Sequence, residues 1–196
     1  PSNSSAASDV YKRQTLSRVI ANAAFKLGFH VRVGVTLGMS QRFGSVHSYI
    51  RFGKNVYSPL PMDSADVILG LEPLEAVRTF NYVNSASLTP VNVEAIPTQT
   101  TIIGLERYPK IDKLIDMLKL RSKVVKTVEA SKDSIEMFDN AMQANMIMLG
   151  VFASTRYNPI PKKLYEEAIV EVLGEKKGVN ARKAFNYGFN TYRDLY

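Results

Sequence analysis

The spacing of apolar residues along the chain predicts helices that alternate with short strands. A stripe of apolar residues at helical spacing predicts a helix over Thr15–Leu27, which Gly28 ends. β-branched and alternating runs predict strands at Val31–Val35 and Ser45–Phe52, and residues 56–58 could pair back as a hairpin. The nearly continuous apolar run Asp66–Leu71 predicts a strand that is covered on both faces.

The second half of the chain is predicted to be mainly helical. Apolar periodicity and capping residues predict helices at 74–80, 107–120, 133–150, 161–174 and 180–187, and a strand at 124–128. A strand-like segment begins at 82–83, whereas Ser87–Thr101 is rich in proline and threonine and predicts a loop with short extended pieces. Alternating strands and helices imply right-handed crossovers. The predicted fold is a three-layer, Rossmann-like α/β sheet, mostly parallel, with helices on both faces and a C-terminal helical extension from about residue 133.

The first fourteen residues differ in composition from the rest of the chain. Pro1–Gln14 is rich in serine, contains few large aliphatic residues and has no apolar period. It resembles translated cloning or adapter sequence, so we expect a non-native or disordered leader. Residues 15–196 would then form one domain.

Composition narrows the possible chemistry. The 196 residues carry 25 Lys+Arg against 18 Asp+Glu and no cysteine, and no run of apolar residues is long enough for a membrane span. Without cysteine the chain can supply neither iron–sulfur ligands nor a thiol nucleophile, and two histidines make a histidine-rich metal site unexpected. Since no secretory signal is visible either, we expect a cytoplasmic protein with no bound metal.

A polar loop between two predicted strands is the first candidate site. It contains Gly38, Met39, Ser40, Gln41, Arg42, Gly44 and Ser45. Glycine amides, the Ser40 hydroxyl and the Arg42 cation could hold an anion or a phosphate. The alternative, which composition alone favours, is a structural loop whose polar groups satisfy its own backbone.

Glu72 is the second candidate, because it follows a buried strand and ligands bind at the carboxyl ends of parallel strands. Its carboxylate could accept a ribose hydroxyl. The alternative is that Glu72 and Glu75 are acids at the start of a helix, where they favour the helix dipole. We assign no catalytic acid, base or nucleophile, and the chain contains no G-x-G-x-x-G, no P-loop and no Ser-His-Asp arrangement. The basic residues lack interleaved aromatics, so nucleic-acid binding is not expected.

Two blocks of sequence nevertheless match a known family. They are Gly38-Met39-Ser40-Gln41-Arg42-x-Gly44-Ser45-Val46 with the following Tyr49-x-Arg51-Phe52-Gly53, and Ala65–Ala76 (ADVILGLEPLEA). Weaker matches include Gly150 and Gly188 with their neighbours. The chain resembles the beta subunit of indolepyruvate:ferredoxin oxidoreductase and, more broadly, the gamma-type domain of 2-oxoacid:ferredoxin oxidoreductases.

The resemblance implies the oxidative decarboxylation of indolepyruvate or another aryl pyruvate to an acyl-CoA, with reduction of ferredoxin. It places thiamine diphosphate and the iron–sulfur clusters on a partner alpha subunit, makes coenzyme A a co-substrate, and leaves this chain inactive alone. The loop from Gly38 to Ser45, with Arg42 as anion partner, and Glu72 would then contact coenzyme A, the substrate cleft or the partner. A stand-alone nucleotide- or CoA-binding module without redox activity is the alternative.

The family pattern begins with a strand and a glycine-rich turn before the first helix. In this sequence Pro1–Gln14 stands where that strand and turn are expected. We therefore expect a chain truncated at its N-terminus, with an exposed sheet edge and an apolar groove. Such a chain should be poorly stable on its own.

Overall fold

A computed structural model describes residues 3–36, 47–56, 60–96, 101, 104–105 and 107–193. The chain begins with helix α1 (Asn3–Lys26), whose apolar stripe lies in the core. Two strands follow, β1 (His30–Thr36) and β2 (His47–Gly53), and they pair with each other in antiparallel register. The predicted strands at these positions are confirmed. Val56 lies outside both strands, and residues 57–59 lie outside the described part of the chain.

Three parallel strands form the second sheet. They are β3 (Ala65–Val67), β4 (Val83–Asn92) and β5 (Val124–Val128), and β4 is the central strand. Helix α2 (Pro73–Arg78) connects β3 to β4, and helix α3 (Ile111–Lys119) lies between β4 and β5. Ala76 and Ile115 pack in one cluster with Val91 of β4, so both crossover helices cover the same face of the sheet.

Helices cover the opposite face as well, which completes the three-layer α/β fold that the alternation predicts. Four helices follow β5: α4 (Ala130–Phe138), α5 (Ala144–Ser154), α6 (Lys162–Leu173) and α7 (Glu175–Thr191). The residues of α5 from Met146 to Ala153 are buried almost without exception, because α1, α7 and the sheet surround this helix. The C-terminal helical extension is therefore part of the main core.

The prediction of a loop over Ser87–Thr101 is wrong for the first six residues, which belong to β4. The strand lacks the apolar pattern that would predict it, because it contains Pro90 and the polar residues Ser87, Thr89 and Asn92. The ladder runs from Ile68 N–H to the Leu88 carbonyl and from Gly70 N–H to the Pro90 carbonyl, at 2.9 Å each. Pro90 omits a single bond in this ladder because it lacks an N–H. Tertiary pairing on both sides outweighs that loss.

Several helix boundaries also differ from the prediction: the helix expected over 180–187 spans Glu175–Thr191, and the helix expected from Arg107 begins at Ile111. The single helix expected over 133–150 is divided, because α4 ends at Asp139 in the left-handed conformation with φ of 58° and a short 3₁₀ turn (Ala141–Gln143) precedes α5. Helix α1 begins at Asn3, earlier than the Thr15 that the apolar stripe predicts. The backbone of Asn3–Gln14 thus continues the helix, and the foreign or disordered character of this leader stays a prediction.

Candidate functional site

Glu72 sits at the start of α2 and is almost completely buried, with 6% of its surface exposed. Its Oε2 accepts a hydrogen bond of 2.8 Å from the backbone N–H of Glu75, which makes Glu72 the N-cap of the helix. Its Oε1 accepts a hydrogen bond from the hydroxyl of Tyr108. Both carboxylate oxygens therefore hold the protein together at the carboxyl end of β3, and contact with a ligand stays a prediction.

Tyr108 is tied to Glu72 electrostatically as well as geometrically. Burial, and next the hydrogen bond to the Glu72 carboxylate, raise the pKa of the Tyr108 hydroxyl above its usual value. The hydroxyl stays protonated at neutral pH and donates to the acid. The pair anchors the segment before α3 to the start of α2.

A second polar cluster lies at the carboxyl end of β4, where sequence reasoning expected a loop. The Asn92 amide donates to Ser131 Oγ at 2.9 Å and to the Leu71 carbonyl at 3.3 Å. Ser131 Oγ in turn donates to Glu94. Asn92 and Ser131 are buried, so this cluster connects the ends of β3 and β4 to the first turn of α4. No apolar pattern marks this strand in the sequence, so no local signal identifies the cluster at its end.

The predicted loop from Gly38 to Ser45 lies outside the described residues, but its two anchors are visible. Thr36 and His47 face each other at the end of the β1–β2 hairpin. His47 Nε2 lies 3.3 Å from the hydroxyl of Tyr82, and the two rings are 5.2 Å apart. Since Tyr82 directly precedes β4, the stem of the loop lies near the amino end of the parallel sheet.

The loop stem and Glu72 are consequently not neighbours. The six residue steps from Ala65, which pairs with Val83 beside Tyr82, to Leu71 span ~20 Å at ~3.3 Å per residue. Glu72 follows at the far end. The structure therefore places the stem of the loop and Glu72 at opposite ends of β3 and its extension.

A groove with a volume of about 600 Å³ runs between these two ends. Part of its wall consists of apolar side chains of α1, β2 and the segment after β3, among them Leu16, Ile20, Ile50, Phe52 and Leu69. Polar and charged side chains, among them His47, Arg51 and Glu72, also line it. Ile68 and Gly70 turn their N–H groups to β4, so the alternate residues Val67 and Leu69 turn their backbone to the groove. The volume is within the ~300–1,000 Å³ of small-molecule sites. The structure thus forms a cleft of the size that binds small molecules, lined by both apolar and polar side chains.

Two further observations concern the described residues alone. No group of three or more His, Cys, Asp or Glu side chains among them is placed to hold a metal ion. Likewise, none of the helices described here has both the length and the apolar character needed to cross a membrane.

The fold defines an α/β domain with a parallel sheet between two helical layers and a cleft along its edge strand. A comparison with protein families identifies it more closely: residues 13–191 match the model described as pyruvate ferredoxin/flavodoxin oxidoreductase. The chain belongs to this family, and the resemblance inferred from its motifs is confirmed.

Curated relatives give a finer likeness. The chain is 34% identical to the indolepyruvate oxidoreductase subunit IorB of Thermococcus kodakarensis and 35% identical to that of Pyrococcus horikoshii. Each match spans 185 residues, 92% of this chain and 90% of the relative. The likeness thus extends across almost the whole of both proteins.

Solved structures share the fold at low sequence identity. The pyruvate oxidoreductase subunit PORC of Thermotoga maritima superposes with a TM-score of 0.63 at 15% identity, covering 91% of this chain and 88% of that one. The 2-oxoglutarate:ferredoxin oxidoreductase of Magnetococcus marinus superposes with a TM-score of 0.62 at 14% identity, covering 95% of this chain and 29% of that one. The same domain fold therefore occurs both as a separate chain and as part of a much longer one.

Proposed function

We propose that this chain is the IorB-type subunit of a heteromeric indolepyruvate:ferredoxin oxidoreductase. The observation that carries the proposal is the 34–35% identity to IorB subunits over about nine tenths of both chains. The match is not confined to one motif, since it includes strands, helices and the C-terminal core. The superposition on oxidoreductase subunits supports the same assignment at the level of the fold.

The proposed reaction is the oxidative decarboxylation of indolepyruvate or a related aryl pyruvate. The bond between the carboxylate and the keto carbon breaks and releases carbon dioxide, and the acyl carbon forms a thioester with coenzyme A. The electron pair that is released reduces ferredoxin, and the thiol proton is lost to solvent. No residue of this chain is assigned to a covalent step.

The donor set of this chain does not fit an iron–sulfur cluster, because the sequence contains no cysteine. We infer that the clusters, together with thiamine diphosphate, are held by a partner alpha subunit, which passes electrons to ferredoxin. This chain would complete the complex in the cytoplasm, where coenzyme A and oxidised ferredoxin are available. It has no activity alone and binds neither nucleic acid nor membrane.

The loop from Gly38 to Ser45 is the part of this chain that we propose to contact coenzyme A or the partner. The Arg42 guanidinium supplies a permanent cation for a phosphate, and the amides of Gly38 and Gly44 can approach an anion closely. Glu72, in contrast, caps α2 beyond the carboxyl end of β3. The two therefore have separate roles in the proposal.

Co-purification tests the assignment. The chain, carrying an affinity tag, is expressed together with the cysteine-rich, thiamine-dependent subunit from the same genome. We expect both chains to elute together with iron and thiamine diphosphate, and the tagged chain expressed alone to bring neither. Tight binding of coenzyme A by the isolated chain, with no association with the second subunit, would instead support the stand-alone binding module.

A further inference from the structure

Much of the net positive charge of the chain comes from one stretch of sequence. Between Arg107 and Val128 there are seven Lys and Arg residues and two Asp residues, whereas the whole chain has a net charge of +7. This stretch contains α3 and the turns on either side of it. It also includes β5, which carries Lys126, so five of the seven net positive charges come from α3, β5 and the turns beside them.

Large apolar side chains are exposed in the same region. Leu120 is 79% exposed and Met62 is 69% exposed, and Met117 is also exposed. Single exposed apolar residues are common on protein surfaces, but a contiguous cluster is typical of an interaction site.

Arg121 joins them. Its Nη2 donates to the carboxylate of Asp63, and its guanidinium lies 5.1 Å from the centre of the Phe80 ring. Met62 precedes Asp63 in the chain and Leu120 precedes Arg121, so this ion pair brings the two exposed apolar residues to one surface. We call the surface formed by Met62, Phe80, Met117, Leu120 and Arg121 the α3 patch.

Lysines border the α3 patch. Lys113 is exposed and lies four residues before Met117, which puts both on one side of α3. Lys123 is exposed beyond the last turn of the helix. An apolar centre of methionine, leucine and arginine with a charged rim has the composition of a protein interface.

The position of the α3 patch is also informative. Met62, Phe80 and Leu120 come before β3, β4 and β5 respectively, so the patch lies at the amino end of the sheet. Glu72 and Asn92 lie at the opposite, carboxyl end. A protein bound at the α3 patch would leave the carboxyl end open.

We propose that the α3 patch binds an acidic surface of the partner subunit. An apolar side chain of the partner lies between Met62 and Leu120, and its carboxylates face Lys113 and Lys123, since Arg121 is already paired with Asp63. Charge complementarity selects an acidic protein surface, because the patch is basic and its centre is apolar. The inference rests on the proposed function, since it requires that function's partner subunit.

Two methionines of equal exposure provide a matched test. Met62 in the patch and Met142 in the 3₁₀ turn before α5 are each 69% exposed. The tagged wild-type chain, Met62→Glu, Leu120→Glu and Met142→Glu are each titrated with the purified partner subunit at low and high salt. Thermal melts establish that all four chains are equally folded.

We expect Met62→Glu and Leu120→Glu to raise the dissociation constant about tenfold or more, and Met142→Glu to leave it nearly unchanged. Added salt should weaken the wild-type complex. If Met62→Glu and Met142→Glu behave alike while the wild-type chain binds, the patch is not the docking surface and the proposed function stands. If the wild-type chain does not bind the partner subunit, the result contradicts the proposed function and, with it, the inference about the patch. Loss of nucleic-acid binding in the patch variants, with subunit binding intact, would also overturn the inference.

Discussion

Gly150 of α5 and Gly188 of α7 mark the point where two helix backbones touch. A Cβ atom on Gly150 would lie 2.1 Å from the carbonyl oxygen of Phe185, and one on Gly188 would lie 2.1 Å from the carbonyl oxygen of Ile147. Both obstacles are backbone atoms, which cannot turn aside as a side chain would. The crossing holds the C-terminal helix against the most buried helix of the core.

Gly150→Ala or Gly188→Ala should therefore destabilise the protein by about 3 kcal/mol or more, although alanine favours a helix over glycine by about 1 kcal/mol. The measurement is the free energy of unfolding in urea. Gly178→Ala in the same helix is the control, since its Cβ would meet the Val170 Cα at 3.2 Å. A change within about 1 kcal/mol is expected there. Equal stability of Gly150→Ala and wild type would contradict the close crossing.

The tyrosines that donate to buried acids predict a loss of stability at high pH. Burial, and next hydrogen bonds to Glu72 and Asp133, raise the pKa values of Tyr108 and Tyr192 above the usual value of 10.0. In the unfolded chain the two tyrosine hydroxyls ionise near that value, whereas in the folded chain they stay protonated to higher pH. The contribution of these two hydroxyls to the free energy of unfolding is therefore complete below about pH 10 and falls as the pH rises further.

Urea unfolding between pH 8 and pH 11 checks this dependence. Tyr108→Phe should reduce the slope at high pH and cost about 1–2 kcal/mol at neutral pH, because Glu72 loses a donor. Tyr157→Phe serves as the control, since its exposed hydroxyl donates to a backbone carbonyl and not to an acid. An unchanged slope in Tyr108→Phe would exclude the proposed origin.

Asn92→Ala should destabilise the protein by about 2–3 kcal/mol, because it removes the amide that joins Leu71 to Ser131 and leaves buried polar atoms without that partner. Calorimetric melting checks the effect. Asn190→Ala, an exposed change in α7, should stay within about 0.5 kcal/mol of wild type. If both variants melted alike, the Asn92 cluster would not contribute to stability.

Arg42→Gln tests the proposed role of the loop. In the assembled complex it should raise the KM for coenzyme A about tenfold, equivalent to about 1.4 kcal/mol, since one charge-assisted hydrogen bond is lost. Arg32→Gln, on the exposed part of β1, is the control and should leave the KM unchanged. An unaltered KM for coenzyme A in Arg42→Gln, with assembly intact, would contradict the proposal that this loop contacts coenzyme A.

The elements that follow a simple local signal are predictable from the sequence. Strand β5 occupies the predicted residues 124–128, and α6 runs from Lys162 to Leu173 between the proline and glycine expected to bound it. Their apolar periodicity and their ends agree, so local preference and packing favour the same structure. The three-layer arrangement follows from the same alternation.

The central strand β4 is not predictable in this way, because its polar residues are satisfied by distant partners. Ser87 Oγ donates to the Ala65 carbonyl at 2.6 Å, and Thr89 Oγ1 lies 2.8 Å from Ser122 Oγ. Those partners are 22 and 33 residues away in sequence. The capping role of Glu72 was a named alternative, whereas its bond to Tyr108 depends on a segment 36 residues later. Tertiary pairing of this kind leaves no local pattern.

Indolepyruvate-dependent reduction of ferredoxin or of a viologen dye is the decisive assay of the proposed function. It compares the co-expressed complex, each subunit alone, and the complex without coenzyme A. We expect reduction by the complete complex with indolepyruvate and coenzyme A, and none by this chain alone. A purified complex of the two chains, loaded with iron and thiamine diphosphate, that reduced no acceptor with indolepyruvate or another aryl pyruvate would contradict it.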